Sequence, residues 1–285
     1  MSETLQHKFA NVNGIRLHYV EQGKGELVIL LHGWPEFWYC WRKQIPELAK
    51  HFHVVAPDLR GYNESDKPKG VAAYSIENVT KDVTELIKVL GYQKATIISH
   101  DWGGAVGWQL GMEHPEVVNK LIIMNSPHPS IMRKHLAENP MQKKRSAYML
   151  FFQIPFLPEL FLRLTLKKTL TESFRGWAHN KNAFTDEDIA QYVEAMKKPD
   201  ALTSSLNWYR AAYRGRGKGG SKKTVSVPTL IIWGENDKAL GKELTYDMDK
   251  YFNAPFVIKY ISKCSHWVQN EYPELVNKYI LDFLK

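Results

Sequence analysis

Continuous apolar runs that stop at turn residues are the feature that most constrains how this chain can fold. A strand that is apolar at every position is buried on both faces, which is typical of a parallel sheet covered by helices. Such runs recur along the chain: ELVILLHG, FHVVAPDLRG, KATIISHD, KLIIMNSP, PTLIIWGEND and PFVIKYIS. IRLHYVEQG adds a strand by period-2 alternation, while VTKDVTELIKVLG and YPELVNKYILDFLK have helical periodicity. This alternation predicts an α/β fold, with a mostly parallel twisted sheet and helices on both faces.

The β-run pattern stops between Pro129 and Val225. Helical patterns replace it: MQKKRSAYMLFF, PELFLRLTL, TDEDIAQYVEAMKK and DALTSSLNWYRAAYR. A helical insertion of this size in a sheet protein indicates a cap over one end of the sheet. We therefore predict a core formed by residues 1–128 and 225–285, with a helical cap at residues 129–224.

Composition allows a large core and excludes several classes of protein. Of the 285 residues, 44% are hydrophobic, which is enough for one sizeable domain. The polar N-terminus lacks the apolar segment of a signal peptide, and no apolar run reaches the ~18 residues of a membrane-spanning helix. The most apolar stretch of the cap, YMLFFQIPFLPELFL, contains two prolines. We expect it to line a pocket, with contact to a membrane surface as the alternative.

Charge and cysteine content give expectations about partners and location. The formal net charge is +8, and the densest basic stretch is YRGRGKGGSKK, Tyr213 to Lys223. No nucleic-acid-binding module accompanies it, so we expect a solvated loop and no nucleic-acid partner. Cys40 and Cys264 form neither a disulfide framework nor a metal-binding spacing. They predict a reducing, cytoplasmic compartment.

A nucleophile motif follows one of the predicted buried strands. Ser99-His100-Asp101-Trp102-Gly103 has small residues on either side of a central Asp, between a strand and a helix. The sharp turn of an α/β-hydrolase nucleophile elbow has this form, usually with Ser at its centre. Asp has a reference pKa of about 3.9, so its carboxylate is ionised at neutral pH and needs no base before it attacks. We predict that Asp101 is a nucleophile towards saturated carbon; a plain helix N-cap is the alternative.

Candidate partners for Asp101 follow in the order nucleophile, acid, histidine that is typical of this fold. Asp237 lies just beyond the strand in LIIWGEND, and His266 just beyond the last strand in ISKCSHW. His266 would activate water, and Asp237 would fix its tautomer. Glu235 is the fallback acid, whereas Asn125, at another strand end, cannot serve as a carboxylate. Each partner taken alone could equally be an ordinary turn or loop residue.

The stretch LLHGWPEFWYCW predicts an oxyanion site. We expect backbone N–H groups of Trp34 and Trp102 to face the carbonyl oxygen that Asp101 acquires as an ester. The Gly-Trp-Pro turn is a candidate for a cis peptide bond at Pro35. A purely structural turn is the alternative.

At this point the sequence resembles the α/β-hydrolase-fold epoxide hydrolases over nearly its whole length, cap included. The matching segments are HGWPE, DLRGYNESDKP, SHDWGG, WGEND and CSHW. The resemblance implies an Asp-His-Asp triad and two cap tyrosines that hydrogen-bond the epoxide oxygen. SAYMLFFQ points to Tyr148 and LNWYRA points to Tyr209, with cap packing as the alternative for each. Tyr213, one helical turn after Tyr209, is expected to be structural.

These residues predict a two-step epoxide hydrolysis without metal or cofactor. Asp101 would open the epoxide to give an alkyl-enzyme ester, and water activated by His266 would release a vicinal diol. A haloalkane or haloacid dehalogenase with the same nucleophile is one alternative, and a non-catalytic small-ligand receptor on this fold is another. By position, aromatic residues would line the pocket and favour hydrophobic or aromatic epoxides, although core packing explains any of them equally well. They are Trp34, Phe37, Trp102, Phe151, Phe152 and Trp267.

Overall fold

A computed structural model describes residues 4–215 and 224–285. Across these ranges, eight strands form one sheet in the order β1-β2-β4-β3-β5-β6-β7-β8. The strands are β1 Gln6–Val12, β2 Ile15–Gln22, β3 Leu27–Leu31, β4 His53–Pro57, β5 Ala95–His100, β6 Val118–Met124, β7 Thr229–Gly234 and β8 Phe256–Ile261. Strand β2 is antiparallel to β1 and to β4, and each of the other neighbouring pairs is parallel. The predicted mostly parallel sheet is confirmed.

Helices connect the strands and build the cap. They are α1 Ile45–Leu48, α2 Ile76–Val89, α3 Asp101–Glu113, α4 Pro129–Glu138, α5 Pro140–Arg145, α6 Tyr148–Phe151, α7 Leu157–Thr171, α8 Asp186–Lys197, α9 Ala201–Arg214, α10 Val268–Glu271 and α11 Pro273–Leu284. Single 3-10 turns lie at Trp38–Trp41, Val71–Tyr74, Pro115–Val117, Lys242–Thr245 and Asp249–Tyr251, and a π-helical turn lies at Glu172–Gly176. Within the described ranges, none of these helices is long and apolar enough to cross a bilayer.

Two hydrophobic clusters pack on the two faces of the sheet. Strand β3 contributes to both, because successive side chains of a strand point to opposite faces. Val28 and Leu30 belong to one cluster, while Leu27, Ile29 and Leu31 belong to the other. This division is what a strand buried on both faces requires, and it explains why the run is apolar at every position.

Helices α4 to α9 lie between β6 and β7, where the cap is predicted. The pattern MQKKRSAYMLFF forms two short helices, α5 and α6, instead of the expected single one. Helix α8 begins with a capping box, in which Thr185 and Asp188 each bond the other's backbone N–H. The cap boundaries at 128/129 and 224/225 remain a prediction. Of the basic stretch from Tyr213 to Lys223, residues 216–223 lie outside the described residues.

Strand β1 is the element that sequence patterns miss. It pairs antiparallel with β2 at the edge of the sheet, and Ala10 and Val12 are its buried residues. The remaining five side chains are exposed, including an aromatic one, Phe9. An exposed edge strand does not need the apolar alternation from which strands are predicted.

Candidate active site

The turn between β5 and α3 holds Asp101 in a strained backbone conformation. Its φ is +50°, in the left-handed region that non-glycine residues seldom adopt. Two glycines allow the surrounding chain to approach. A Cβ on Gly103 would lie 2.2 Å from the Leu31 carbonyl oxygen, and one on Gly33 would lie 2.4 Å from the Asp101 side chain. The turn thus has the geometry of a nucleophile elbow.

The Asp101 carboxylate points away from the helix that it begins. His100, not Asp101, occupies the N-cap position of α3, and no side-chain cap is formed there. Instead, the backbone N–H of Trp34 donates to Asp101 Oδ1 at 2.8 Å. The Trp34–Pro35 peptide bond is cis, as the sequence predicts. The carboxylate therefore faces the other strand ends and does not cap its own helix.

A chain of close contacts links Asp101 to the two partners that the sequence order predicts. His266 Nε2 lies 3.5 Å from Asp101 Oδ2. On the other side of the ring, His266 Nδ1 lies 2.6 Å from Asp237 Oδ2. The structure brings these three residues together from positions after β5, β7 and β8. An acceptor on Nδ1 fixes the tautomer and leaves Nε2 to face Asp101.

Asp237 is held by neighbours that fix both of its oxygens. The backbone N–H groups of Ala239 and Leu240 donate to Oδ1 at 2.7 and 2.9 Å. The Asn125 side-chain amide donates to Oδ2 at 2.7 Å, while its own oxygen accepts from the Gly234 N–H at 3.0 Å. Sequence reasoning excludes Asn125 as an acid but misses this orienting contact. Its position directly after β6 is the signal that could have suggested it.

The fallback acid, Glu235, has a different partner. Its carboxylate forms an ion pair with the Lys242 ammonium, and both side chains are about one-third exposed to solvent. Asp237, by contrast, is buried against the imidazole of His266. The structure therefore favours Asp237 as the carboxylate that supports His266.

Opposite charges determine how Asp101 and His266 titrate. Burial alone would raise the pKa of the Asp101 carboxyl, but the hydrogen bond and charge of His266 outweigh it and hold this pKa below its usual value. Burial alone would lower the pKa of His266. The charge of Asp237 and the hydrogen bonds to both carboxylates outweigh that effect and raise it to about 10. At neutral pH the resting site is thus a carboxylate facing an imidazolium.

A second buried histidine lies beneath the first and is missed by sequence reasoning. His100 Nε2 lies 2.9 Å from the backbone carbonyl oxygen of His266 and must donate to it, because a carbonyl only accepts. His100 Nδ1 lies 2.8 Å from Glu36 Oε2, and Gln269 donates to Glu36 Oε1 at 3.0 Å. These contacts fix the loop that carries His266. The positions of Glu36 in HGWPE and His100 in SHDWGG were the available signal.

The two predicted cap tyrosines meet above the elbow. The rings of Tyr148 and Tyr209 are 5.9 Å apart, and Tyr209 packs edge-on against Trp102 at 5.0 Å. Phe152 packs edge-on against both phenol rings, at 5.4 Å from Tyr148 and 5.0 Å from Tyr209. Burial raises the pKa of both phenols, and the negative charge of Asp101 adds to the rise. Both hydroxyls therefore stay protonated and can donate.

The remaining predicted pocket residues divide into two groups. Phe152 packs against Tyr209 at 5.0 Å and Trp34 at 5.5 Å, and Trp267 packs edge-on against His266 at 4.8 Å. Both lie beside residues of the site. Phe37 instead packs on Tyr39 and Tyr192, and Phe151 on Phe152 and Phe161. In the described part of the chain, no group of three acidic, His or Cys side chains is arranged to hold a metal ion.

Comparison with known proteins identifies the family. A family model described as the alpha/beta hydrolase fold matches residues 26–273. Epoxide hydrolase 3 of Xenopus tropicalis is 38% identical, over 98% of this chain and 78% of that protein. This chain belongs to the epoxide hydrolases of the α/β-hydrolase fold.

Two further relatives support membership of the epoxide hydrolase family. The AB hydrolase superfamily protein YfhM of Bacillus subtilis (strain 168) is 41% identical, over 98% of this chain and 97% of that protein. A crystal structure of a mutant epoxide hydrolase from Bacillus megaterium, complexed with its diol product, superposes with a TM-score of 0.89. It is 34% identical and covers 97% of this chain and 99% of that chain. The fold and family predicted from the sequence are confirmed.

The contacts of Asp237 and Glu235 predict opposite outcomes for two matched substitutions. Asp237→Asn removes the charge that orients and stabilises the imidazolium, so kcat for an aryl epoxide should fall roughly 10²- to 10⁴-fold. Glu235→Gln breaks an ion pair at the surface and should leave kcat within about twofold. Steady-state kinetics on the two variants measures both. A larger loss for Glu235→Gln than for Asp237→Asn would reverse the assignment.

Proposed function

We propose that this epoxide hydrolase opens hydrophobic epoxides through a covalent ester on Asp101. The contact chain Asp101–His266–Asp237, with the rings of Tyr148 and Tyr209 packed together in the cap, carries this proposal. In this proposal Asp101 is the nucleophile, and the two phenols are the donors to the epoxide oxygen. The product is a vicinal diol, and neither metal nor cofactor takes part in the proposed steps.

The first half-reaction forms the ester. A carboxylate oxygen of Asp101 attacks an epoxide carbon from the side opposite the ring oxygen, and the C–O bond of the ring breaks as the ester bond forms. The negative charge moves to the ring oxygen, where Tyr148 and Tyr209 donate hydrogen bonds. Buried donors that point at developing charge lower the barrier because they need no reorganisation. Trp102 packs edge-on against Tyr209 at 5.0 Å and supports that ring.

The charge states of the site balance the protons of the first half-reaction. The resting pair consists of an Asp101 carboxylate and a His266 imidazolium. Once Asp101 is an ester, its charge and its hydrogen bond no longer raise the pKa of His266, although those of Asp237 remain, so the imidazolium becomes a stronger acid. It gives up one proton, and the alkoxide product of ring opening takes up one. Neutral His266 is then ready to act as a base.

The second half-reaction hydrolyses the ester. His266 Nε2 takes a proton from water, and the water oxygen attacks the carbonyl carbon of the Asp101 ester. The backbone N–H of Trp34, already 2.8 Å from Asp101 Oδ1, stabilises the tetrahedral oxyanion. Trp102 follows Asp101 in the first turn of α3, where N–H groups lack intrahelical acceptors, and is the proposed second donor. The acyl C–O bond then breaks, and the departing alkoxide takes the second proton of the attacking water and leaves as the diol. The resting carboxylate and imidazolium are thereby restored.

The two buried phenols beside Trp102 favour epoxide hydrolysis over dehalogenation. A haloalkane dehalogenase needs free donors beside the nucleophile to hold the leaving halide. Here the phenols of Tyr148 and Tyr209 lie beside Trp102 with raised pKa values, so they serve a developing alkoxide and have no role in halide release. Halide release from chloro- and bromoalkanes should therefore be absent under conditions in which an aryl epoxide is hydrolysed.

The surroundings of the tyrosines favour aromatic or otherwise hydrophobic epoxides. Trp34, Trp102 and Phe152 present ring faces and edges to Tyr209, with centroid distances of 5.0 to 5.9 Å. The structurally similar Bacillus megaterium enzyme is complexed with a naphthyloxy propanediol product. Aryl glycidyl ethers are accordingly the first substrates to test. We also propose a reducing, cytoplasmic setting, since Cys40 and Cys264 are buried free thiols.

Removal of the phenol hydroxyls tests the proposed activity. Tyr148→Phe and Tyr209→Phe should each lower kcat/KM for an aryl glycidyl ether by roughly 10²-fold, and the double variant by more, because each loses a donor to the developing alkoxide. Tyr213→Phe is the matched control, since that side chain is 44% exposed at the end of α9. It should retain wild-type kinetics. Full activity in the double variant would rule out the tyrosine pair as the proton donors.

The pH profile tests the charge states of the resting site. Ring opening uses the Asp101 carboxylate and the His266 imidazolium, so kcat/KM should stay high at neutral pH and fall as the pH rises through about 10. At low pH it should fall only below the usual Asp range, because the pKa of Asp101 is depressed. Stopped-flow measurement of ester hydrolysis should instead show a rate that increases with pH, with a midpoint below 10. Loss of kcat/KM near an ordinary imidazole pKa would show that His266 is neutral at rest.

A further inference from the structure

The cap carries a concentrated patch of exposed apolar side chains. Seven of the thirteen exposed large apolar residues of the described chain fall between positions 150 and 164. We name them the outer cap surface: Leu150, Ile154, Phe156, Leu157, Leu160, Phe161 and Leu164. Single exposed apolar residues are normal, but a contiguous group marks an interaction site. The sequence predicts that the stretch YMLFFQIPFLPELFL lines a pocket. Tyr148 and Phe152 pack against Tyr209, whereas Leu150, Ile154, Leu157 and Phe161 of this stretch are exposed to solvent.

Helix α7 has two apolar faces, and the cap uses only one of them. Its buried positions are Pro158, Leu162, Leu166 and Leu170. Its exposed apolar positions are Leu157, Leu160, Phe161 and Leu164. At about 100° per residue, these two sets project on nearly opposite sides of the helix. The packing of the cap explains the first set and leaves the second facing solvent.

The residue before α7 extends the same surface outwards. Phe156 is 85% exposed and has a φ of +62°, a conformation that is uncommon for an aromatic residue. Leu164, two helical turns later, is 76% exposed. These two side chains project furthest into solvent within the patch.

Basic side chains adjoin this apolar surface on and beside α7. Residues 129–171 contain eight Lys and Arg but only two Asp and Glu, a net charge of +6 within a chain of +8. Lys167 and Lys168 are exposed in the last turns of α7. A surface cavity of about 450 Å³ adjoins the patch and is lined by Phe156, Leu160, Arg163 and Arg214, among others. Apolar and basic groups therefore share one face of the cap.

We propose that the outer cap surface docks on an anionic lipid membrane. An amphipathic helix with basic flanks lies in the membrane interface, with its apolar side chains at the boundary of headgroups and acyl chains and its cations against the headgroups. A second copy of the chain fits less well, because two such surfaces face to face would bring like charges together. Docking is peripheral: Phe156, Leu160 and Leu164 enter the interface, and Lys167 and Lys168 bind lipid phosphates.

Vesicle co-sedimentation of the full chain tests this docking. Wild type should bind vesicles of mixed phosphatidylserine and phosphatidylcholine, and bind vesicles of phosphatidylcholine alone at least about tenfold more weakly. High salt should release most of the bound protein. Phe156→Asn with Leu164→Asn should weaken binding by roughly tenfold or more, and Lys167→Gln with Lys168→Gln by a similar factor.

Matched controls distinguish docking through the outer cap surface from nonspecific adsorption to vesicles and from misfolding of the variants. Val89→Asn with Tyr246→Asn removes two exposed large side chains elsewhere, and Lys88→Gln with Lys94→Gln removes two exposed charges elsewhere. Both controls should bind as wild type does, with all variants sharing one melting temperature. Equal losses in control and patch variants, or no wild-type binding to anionic vesicles, would overturn the proposal. So would a dimer in ultracentrifugation that Phe156→Asn with Leu164→Asn dissociates while vesicle binding is absent.

Discussion

The pairing of the buried His266 imidazole with two carboxylates is the interaction on which the rest of the site depends. Burying charges is costly unless each is paired and hydrogen-bonded. The sheet meets this requirement by bringing the ends of β5, β7 and β8 to one edge, so that Asp101, Asp237 and His266 meet there. Backbone N–H groups satisfy the carboxylate oxygens that His266 does not contact, and Asn125 donates to the Asp237 oxygen that His266 does contact.

The same pairing links the fold to the proposed chemistry. A carboxylate that faces an imidazolium is a stable resting state, yet ester formation removes one of the two charges that stabilise the cation. In the proposed cycle, His266 thus changes from an acid to a base at the stage at which a base is needed. The cap contributes the complementary part, because burial keeps the phenols of Tyr148 and Tyr209 protonated above the nucleophile. The candidate site therefore combines Asp101, Asp237 and His266 from the core with Tyr148 and Tyr209 from the cap.

Sequence patterns predicted the parts of the fold and of the candidate site that depend on neighbouring residues along the chain. Buried strands, the elbow around Asp101 and the order of Asp237 and His266 follow from apolar runs and turn residues. Strand β1 was not predicted, because an exposed edge strand needs little apolar patterning. The break between α5 and α6 was not predicted either, because helical periodicity continues across it. The contacts of Asn125, and of His100 with Glu36, join residues 64 to 112 positions apart. Such contacts depend on tertiary geometry, which one sequence does not display.

Covalent attack by Asp101 is the central claim, and one isotope measurement tests it most directly. A single turnover is run in heavy-oxygen water with enzyme in excess over an aryl epoxide, and the diol and the Asp101 peptide are weighed by mass spectrometry. The account predicts that the diol carries ordinary oxygen derived from Asp101, while the heavy oxygen enters the Asp101 carboxylate. Heavy oxygen in the first diol released, with none in Asp101, would mean that water attacks the epoxide directly and would contradict the account.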